Sequence, residues 1–380
     1  MTRPPSTGLV SRRRFLQWSG LTLAAAPLGG VSASRSPESE TLAEREHEAR
    51  FYEKLHGGAV RCGLCPWGCV VPPGGRGRCR VRENRGGRYV TLVYGRPVAR
   101  NNDPIEKKPF FHVYPGSRAY SIATVGCNFV CKFCQNWDIS QAAPEQARVP
   151  FVPPEAIAAE AARQQCRTIA YTYSEPTIFF EYMLDCARAA RDAGLGNVLV
   201  SNGFIADAPL RELCKVMTAI KVDFKAFSDS FYRDVCSGER EPVLATLKRL
   251  KDSGVWFEMV VLIIPTLNDR RDEIRRMCDW ILRELGPDVP LHFTRFHPAY
   301  RLLNLPPTPT ATLEQARALA RQAGCRYVYT GNMPGGAGEN TDCPQCGARV
   351  VNRYGHLVLS DSLKDGKCPA CGAAIPGVWF

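Results

Sequence analysis

Gly126-Cys127-Asn128-Phe129-Val130-Cys131-Lys132-Phe133-Cys134-Gln135-Asn136 sets three thiols at the spacing Cys127-x3-Cys131-x2-Cys134, directly after a short apolar run, Ile122 to Val125, that reads as a strand. A tight loop of this kind can wrap one metal centre, and thiolates select soft iron–sulfur or zinc centres. The number of ligands matters more than their spacing. A four-iron cluster normally takes four cysteines, so three leave one iron open, just as an open position separates a catalytic zinc from a structural one. An open iron is a place for substrate or cofactor to bind. The plainer alternative is a zinc knuckle that borrows its fourth ligand from elsewhere.

Outward from this loop, apolar runs alternate with amphipathic ones from Arg118 onward. Strands are predicted at Ala119–Val125, Thr168–Tyr173, Asn197–Ser201, Ile220–Phe224, Trp256–Ile263 and Leu291–Phe296, with helices at Pro154–Cys166, Thr177–Ala193, Pro209–Thr218, Glu241–Ser253 and Asp269–Leu285. Strands alternating with helices of this length predict an α/β class with a parallel sheet, open or closed into a barrel. In such barrels chemistry sits at the C-terminal strand ends, and the cysteine loop follows the first strand. On the fourth strand Lys221, Asp223 and Lys225 share one parity while Ile220, Val222 and Phe224 share the other, so three charges would face the lumen. Buried charges need partners; a lumenal salt bridge or a charged ligand would serve. On the sixth strand Arg295 and His297 likewise share a face.

The 380 residues suffice for a large core with one or two small appendages. Eleven of the seventeen cysteines fall into tight groups with metal spacing, which points to metal ligands and a reducing site of synthesis rather than to disulfides. The other six, Cys166, Cys186, Cys214, Cys236, Cys278 and Cys325, read as packing residues. In the segment 35–115 a second group, Cys62-x2-Cys65-x3-Cys69-x9-Cys79, closes a shell of four thiolates, read as structural zinc with an accessory iron–sulfur cluster as the alternative. A helix is predicted over Glu38 to Leu55. Arg76, Arg78, Arg80 and Arg82 alternate, which on a strand would line four guanidinium groups on one face to dock an acidic electron donor.

The net charge of +12 is concentrated in Arg61 to Arg100, where nine arginines face the single acid Glu83. A solvated basic face accounts for it, and with no recognisable nucleic-acid module no nucleic acid is expected. At the C-terminal end, in 333–380, Cys343-x2-Cys346 and Cys368-x2-Cys371 form two knuckles 21 residues apart, a zinc-ribbon or rubredoxin-like pattern read as zinc. Residues 1–34 read as a targeting segment: Ser11-Arg12-Arg13-Arg14-Phe15-Leu16-Gln17 resembles a twin-arginine signal, followed by an apolar run too short to span a bilayer. Export to a periplasmic or membrane-associated site is the expectation, with a cytoplasmic protein as the alternative.

The cysteine loop, with Phe133 inside it, resembles the cluster motif of the radical SAM superfamily. That resemblance implies a partial (β/α)6 TIM-like barrel over 116–332, a 4Fe-4S cluster on Cys127, Cys131 and Cys134, and S-adenosylmethionine chelated to the fourth iron. It also implies reductive cleavage to a 5′-deoxyadenosyl radical that abstracts hydrogen from an unidentified substrate. Tyr171-Thr172-Tyr173-Ser174-Glu175-Pro176-Thr177 is similar to the family's glycine-glycine-glutamate segment with both glycines replaced, so Glu175 carries over as a contact to the methionine moiety. Ser201-Asn202-Gly203 resembles the Thr-Asn-Gly of glycyl-radical activases, placing Asn202 near the ribose; Asp223-Phe224-Lys225 resembles an activase Asp-Leu-Lys that contacts the cofactor; and His297 resembles the histidine near the adenine.

The order of these segments, together with Asp103-Pro104-Ile105-Glu106-Lys107-Lys108-Pro109, Tyr329-Thr330-Gly331-Asn332 and both outer cysteine groups, is similar to the AmmeMemoRadiSam-system radical SAM proteins, relatives of pyruvate formate-lyase activating enzyme. Membership implies AMMECR1-type and Memo-type partner proteins and an electron donor such as flavodoxin or ferredoxin. Two rival readings are a glycyl-radical-enzyme activating protein and a non-catalytic iron–sulfur electron-transfer or scaffold protein.

Overall fold

The computed structural model describes residues 46–333 and 335–380. The expected leader over 1–34 and the start of the expected Glu38–Leu55 helix lie outside the described residues. The described end of that helix is not helical: it forms strands β1 (His47–Glu48) and β2 (Tyr52–Lys54). Phe51, at φ 56°, turns the chain between them, and its ring meets Phe180 edge-on at 5.2 Å. Tertiary packing overrides a local amphipathic pattern here.

Strands β3 (Val60–Cys62) and β4 (Val70–Val71) join β2 in one small antiparallel sheet, while β5 (Arg82–Arg85) and β6 (Arg88–Thr91) join β1 in another. The expected face of four arginines does not form, because only Arg82 lies in β5 and Arg80 adopts φ 67°. Arg78 stacks over Trp67 at 3.8 Å, and Arg76 pairs with Glu83 at 2.7 Å. Arg80 donates to Ser140 O at 3.1 Å. Arg82 is buried against Glu181. Each guanidinium finds its own acceptor.

The main sheet has eight strands rather than six. In spatial order it runs from β7 (Ala99–Pro104) and β8 (Arg118–Ala123) through β9 (Thr168–Tyr171), β10 (Gly196–Ser201), β11 (Ala219–Asp223), β12 (Trp256–Ile263) and β13 (Leu291–Arg295) to β14 (Val328–Gly331). The strands from β8 to β14 pair in parallel, and β7 covers the first edge antiparallel. The order is that of an open, partial TIM-like barrel. Near-continuous burial along these strands is what covering both faces requires.

Helices cross over between the parallel strands: α1 (Trp137–Ser140), α2 (Pro154–Arg163), α3 (Phe180–Asp192), α4 (Asp207–Cys214), α5 (Asp229–Phe231), α6 (Glu241–Ser253), α7 (Arg271–Glu284) and α8 (Thr310–Ala323). Each of the main ones buries one apolar stripe, as in α6, where Val243, Leu244, Leu247 and Leu250 face the sheet and Gly254 ends the helix at φ 74°. The unit of α8 and β14 was not expected. Its apolar positions Leu313, Ala316, Leu319 and Ala320 follow the same helical spacing.

The C-terminal strands β15 (Thr341–Asp342), β16 (Arg349–Tyr354) and β17 (Leu357–Asp361) form a third small sheet. Val350, Val351, Cys343, Cys368 and Ile375 share one apolar cluster with Phe111, Tyr327 and Tyr329, so this segment packs onto the last barrel strand. Among the described residues, no helix is long and apolar enough to cross a membrane.

Candidate functional site

The loop after β8 is held from three sides. Gly126 has φ +97°, and a Cβ there would stand 2.5 Å from Val81 and 3.0 Å from Cys79 O, so only glycine fits. Val130 N donates to Cys236 O at 3.1 Å and Lys132 N to Val235 O at 2.9 Å, pairing the loop with a wide helical turn over Tyr232–Cys236. Such turns recur at functional sites. Asn128 donates to Phe204 O at 3.0 Å and accepts from Asn202 Nδ2 at 2.8 Å, which ties the loop to the end of β10.

So held, Cys127, Cys131 and Cys134 line a cavity of about 640 Å³. Phe129 N approaches Cys127 Sγ at 3.4 Å and Ser140 Oγ approaches Cys134 Sγ at 3.3 Å. Donors aimed at sulfur favour the thiolate and tune the centre it binds.

Glu175, Asn202, Asp223 and Lys225 line the same cavity, at the C-terminal ends of β9, β10 and β11. Asp223 is clamped between Lys221 at 2.7 Å and Lys225 at 3.2 Å. Burial alone would raise its carboxyl, but the two ammonium groups hold it down at about 2. The same carboxylate overcomes burial at Lys225 and keeps that ammonium charged. One third of the Asp223 side chain remains open to the cavity. The lumenal salt bridge, the alternative to a charged ligand, is therefore present and faces the space where a ligand would sit.

Glu175 is fully engaged. It accepts from Thr177 N at 3.0 Å, Thr177 Oγ1 at 2.7 Å, Ser201 Oγ at 2.8 Å and Asn202 N at 2.7 Å, while burial pushes its carboxyl upward. It thus fastens the end of β9 to the end of β10. Where the resembling segment has glycine, Tyr173 takes φ 66°, the left-handed conformation that glycine favours. The ring is secured by Lys108 Nζ 4.0 Å from its centroid and by a hydroxyl bonded to Asp103, and its carbonyl accepts from Asn136 Nδ2 at 3.0 Å. Tertiary contacts hold this left-handed conformation at a tyrosine.

His297 is exposed and does not line the cavity. Two other histidines do: His292 on β13, bonded at 2.7 Å to the buried Glu258, and His356. Three further contributions were missed. Lys108 lines the wall, its ammonium brought down to about 8 by burial against the pull of Asp103. Cys236 lies fully buried against Cys131. Tyr354, Gly355 and His356, at the β16–β17 turn, close one side of the cavity. The Asp-Pro-Ile-Glu-Lys-Lys run at 103–108 was the available signal for the first; for the others no short-range pattern exists.

The outer cysteines behave differently from one another. Sγ atoms of Cys343 and Cys371 are 3.6 Å apart and those of Cys346 and Cys368 are 3.7 Å apart, with all four within 4.8 Å. Among the described residues no other group of ligand atoms is gathered so closely, so Cys62, Cys65, Cys69 and Cys79 do not form the tight tetrahedral shell expected.

Residues 121–281 match the family model of the radical SAM superfamily. The chain is 44% identical over 330 residues to an uncharacterised protein of Methanocaldococcus jannaschii, covering 86% of this chain and 98% of that one. Among solved structures it is similar to a domain of a pyruvate-formate lyase-activating enzyme from Bacteroides vulgatus, at 13% identity and a TM-score of 0.39 over 43% of this chain and 98% of that one. It is also similar to Streptococcus suis SuiB bound to S-adenosylmethionine, at 10% identity and a TM-score of 0.45 over 60% of this chain and 52% of that one.

Proposed function

Because the chain belongs to the radical SAM superfamily, in one family with the Methanocaldococcus jannaschii protein, we propose that its cavity binds S-adenosylmethionine against a 4Fe-4S cluster and cleaves it reductively to start hydrogen abstraction from a substrate. The observation that carries this reading is the donor set. Three thiols open into one cavity with a carboxylate flanked by two ammonium groups. Cys127, Cys131 and Cys134 would hold three irons and leave the fourth open. Bound there, the cluster and its cofactor supply one-electron cleavage of the sulfonium and a 5′-deoxyadenosyl radical.

The chain's own groups do the positioning. Asp223 offers a carboxylate that is ionised at neutral pH to a cofactor hydroxyl or amino group, and Lys225 offers a charge to a carboxylate. Glu175 and Asn202 act by holding the strand ends and the cysteine loop in register, since their polar atoms are already bonded to protein. The wall formed by Tyr354 and His356 is assigned to the substrate, because no cofactor-motif residue lies in that turn.

The proposal extends to the AmmeMemoRadiSam system, with AMMECR1-type and Memo-type proteins as partners, a flavodoxin or ferredoxin as electron donor, and zinc on Cys343, Cys346, Cys368 and Cys371. The sequence order of motifs supports the first, and tetrahedral sulfur spacing supports the last. Export by the twin-arginine route rests on Ser11–Gln17 and the apolar run that follows it; cell fractionation with and without Arg12→Lys/Arg13→Lys tests it.

The deciding experiment is anaerobic reconstitution with iron and sulfide, reduction, and measurement of 5′-deoxyadenosine. The wild-type protein should release it only when S-adenosylmethionine is present, and Cys131→Ala should fall to background. Product retained in Cys131→Ala would overturn the assignment of these three cysteines, and a reduced cluster indifferent to the cofactor would overturn the reading in favour of electron transfer or scaffolding.

A further inference from the structure

Cys62, Cys65, Cys69 and Cys79 lie outside the cavity, and their spacing separates them from the C-terminal four. A single zinc ion with bonds of ~2.3 Å at tetrahedral angles sets its sulfurs about 3.8 Å apart. The C-terminal group, at 3.6 and 3.7 Å, matches that figure. Among the described residues, no three of the N-terminal sulfurs come within 4.8 Å of one another. The same holds for Cys127, Cys131 and Cys134, which carry the cluster motif. A cubane cluster, with one metal at each of four corners, spreads its thiolates wider than one ion does.

The wide spacing does not come from a splayed loop. Cys62 N donates to Cys69 O at 2.9 Å. Cys62 and Cys79 are buried, with Cys65 and Cys69 packed on the same core. Into this space points a buried polar group: Tyr89 is fully buried, and its hydroxyl faces the Cys62 thiol with no nitrogen or oxygen acceptor. A Cβ on Gly77 would stand 2.8 Å from Tyr89 Oη and 3.9 Å from Cys69 Sγ, so phenol and thiol border the same small volume. A buried hydroxyl left without an acceptor is costly, and thiolate or cluster sulfur is the acceptor this one has within reach.

We propose that Cys62, Cys65, Cys69 and Cys79 hold a second, redox-active iron–sulfur cluster rather than structural zinc. Its setting gives it a task. Cys79 O lies against Gly126, one residue before Cys127, and Trp67 Nε1 donates to Asn128 O at 2.9 Å. The two cysteine loops therefore touch through backbone and indole. The second cluster takes one electron from a low-potential one-electron donor, a reduced flavodoxin or ferredoxin in the cell or a viologen in the assay. On the proposed reading of the cavity it would pass that electron to the cluster held by Cys127, Cys131 and Cys134, leaving the second cluster oxidised again; no bond forms or breaks in the step.

The test is metal analysis of the full chain, reconstituted anaerobically with iron, sulfide and zinc and then desalted. About eight iron, eight sulfide and one zinc per chain are expected. About four iron and two zinc would overturn the second cluster while leaving the reading of the cavity intact, and no bound iron at all would overturn both. The triple variant Cys127→Ser/Cys131→Ser/Cys134→Ser should keep about four iron and give a cluster electron-resonance signal after dithionite reduction. If it keeps zinc and no iron, the proposal fails. Should the variant not fold, the wild-type metal count and a reductive titration, two electrons per chain against one, still decide.

Discussion

Arg82 and Glu181 are each about 1% exposed, and their ion pair joins the N-terminal sheets to α3. Glu181 also accepts from Arg50 N at 2.6 Å, so one carboxylate holds two parts of the N-terminal segment. Removing one partner leaves a buried charge unpaired. Arg82→Ala is expected to cost about 3–5 kcal/mol, read from the shift in urea midpoint. Arg61→Ala, whose partner Glu53 is solvent-exposed, should shift the midpoint little. Gly238 makes a second prediction at this scale. A Cβ there would stand 2.4 Å from the ring of Phe129, inside the cysteine loop. Gly238→Ala should therefore destabilise the fold by about 1–3 kcal/mol and lower iron retention after desalting. Iron retention equal to wild type would show that the ring can move aside.

At the scale of elements, the docking of the C-terminal sheet onto the barrel depends on a neutral histidine. His112 Nδ1 donates to Pro376 O at 2.6 Å, and Nε2 accepts from Tyr329 Oη at 2.6 Å. Burial lowers its pKa to about 4 from an ordinary 6.5. Between those values the unfolded chain binds the proton and the folded one does not, so stability falls as pH drops from 6.5 towards 4. The full loss is about 3 kcal/mol. Urea unfolding at pH 7.5 and 5 should show most of the fall in wild type and a much smaller one in His112→Gln. The β16–β17 turn supplies another prediction, resting on the proposed function. His356 lines the cavity from the β16–β17 turn, an element separate from the cysteine loop. His356→Ala should leave cofactor cleavage within about twofold while raising the ratio of 5′-deoxyadenosine to substrate product, a ratio that mass spectrometry reads once a substrate is found. Loss of cleavage itself would move His356 into the cofactor site.

Over the whole molecule, one small module holds one wall of the cavity. Arg353 is buried on β16; it donates to Phe111 O at 2.7 Å and lies 3.7 Å from Glu106, so the C-terminal sheet, the segment before β8 and the cavity wall form one network. Chelating the zinc proposed for Cys343, Cys346, Cys368 and Cys371 is expected to lower Tm by several degrees, with return on adding zinc. A chelated protein of unchanged Tm would mean that the apolar cluster around Val351 holds the module alone. The sequence by itself determined the cysteine loop, the alternation of strands and helices, the parity of Lys221, Asp223 and Lys225, and the two C-terminal Cys-x2-Cys pairs. These follow from spacing within a few residues, or from burial at a period of 2 or 3.6, which any window of the chain carries. Only the tertiary structure decided that the sheet has eight strands, that Arg82 is buried while its alternating neighbours scatter, that His292 and not His297 lines the cavity, and that Tyr173 holds a glycine's conformation. Each depends on a partner distant in sequence: Glu181 for Arg82, Glu258 for His292, Lys108 and Asp103 for Tyr173. No local spacing encodes which remote group meets a side chain, because that is settled by how the buried faces pack.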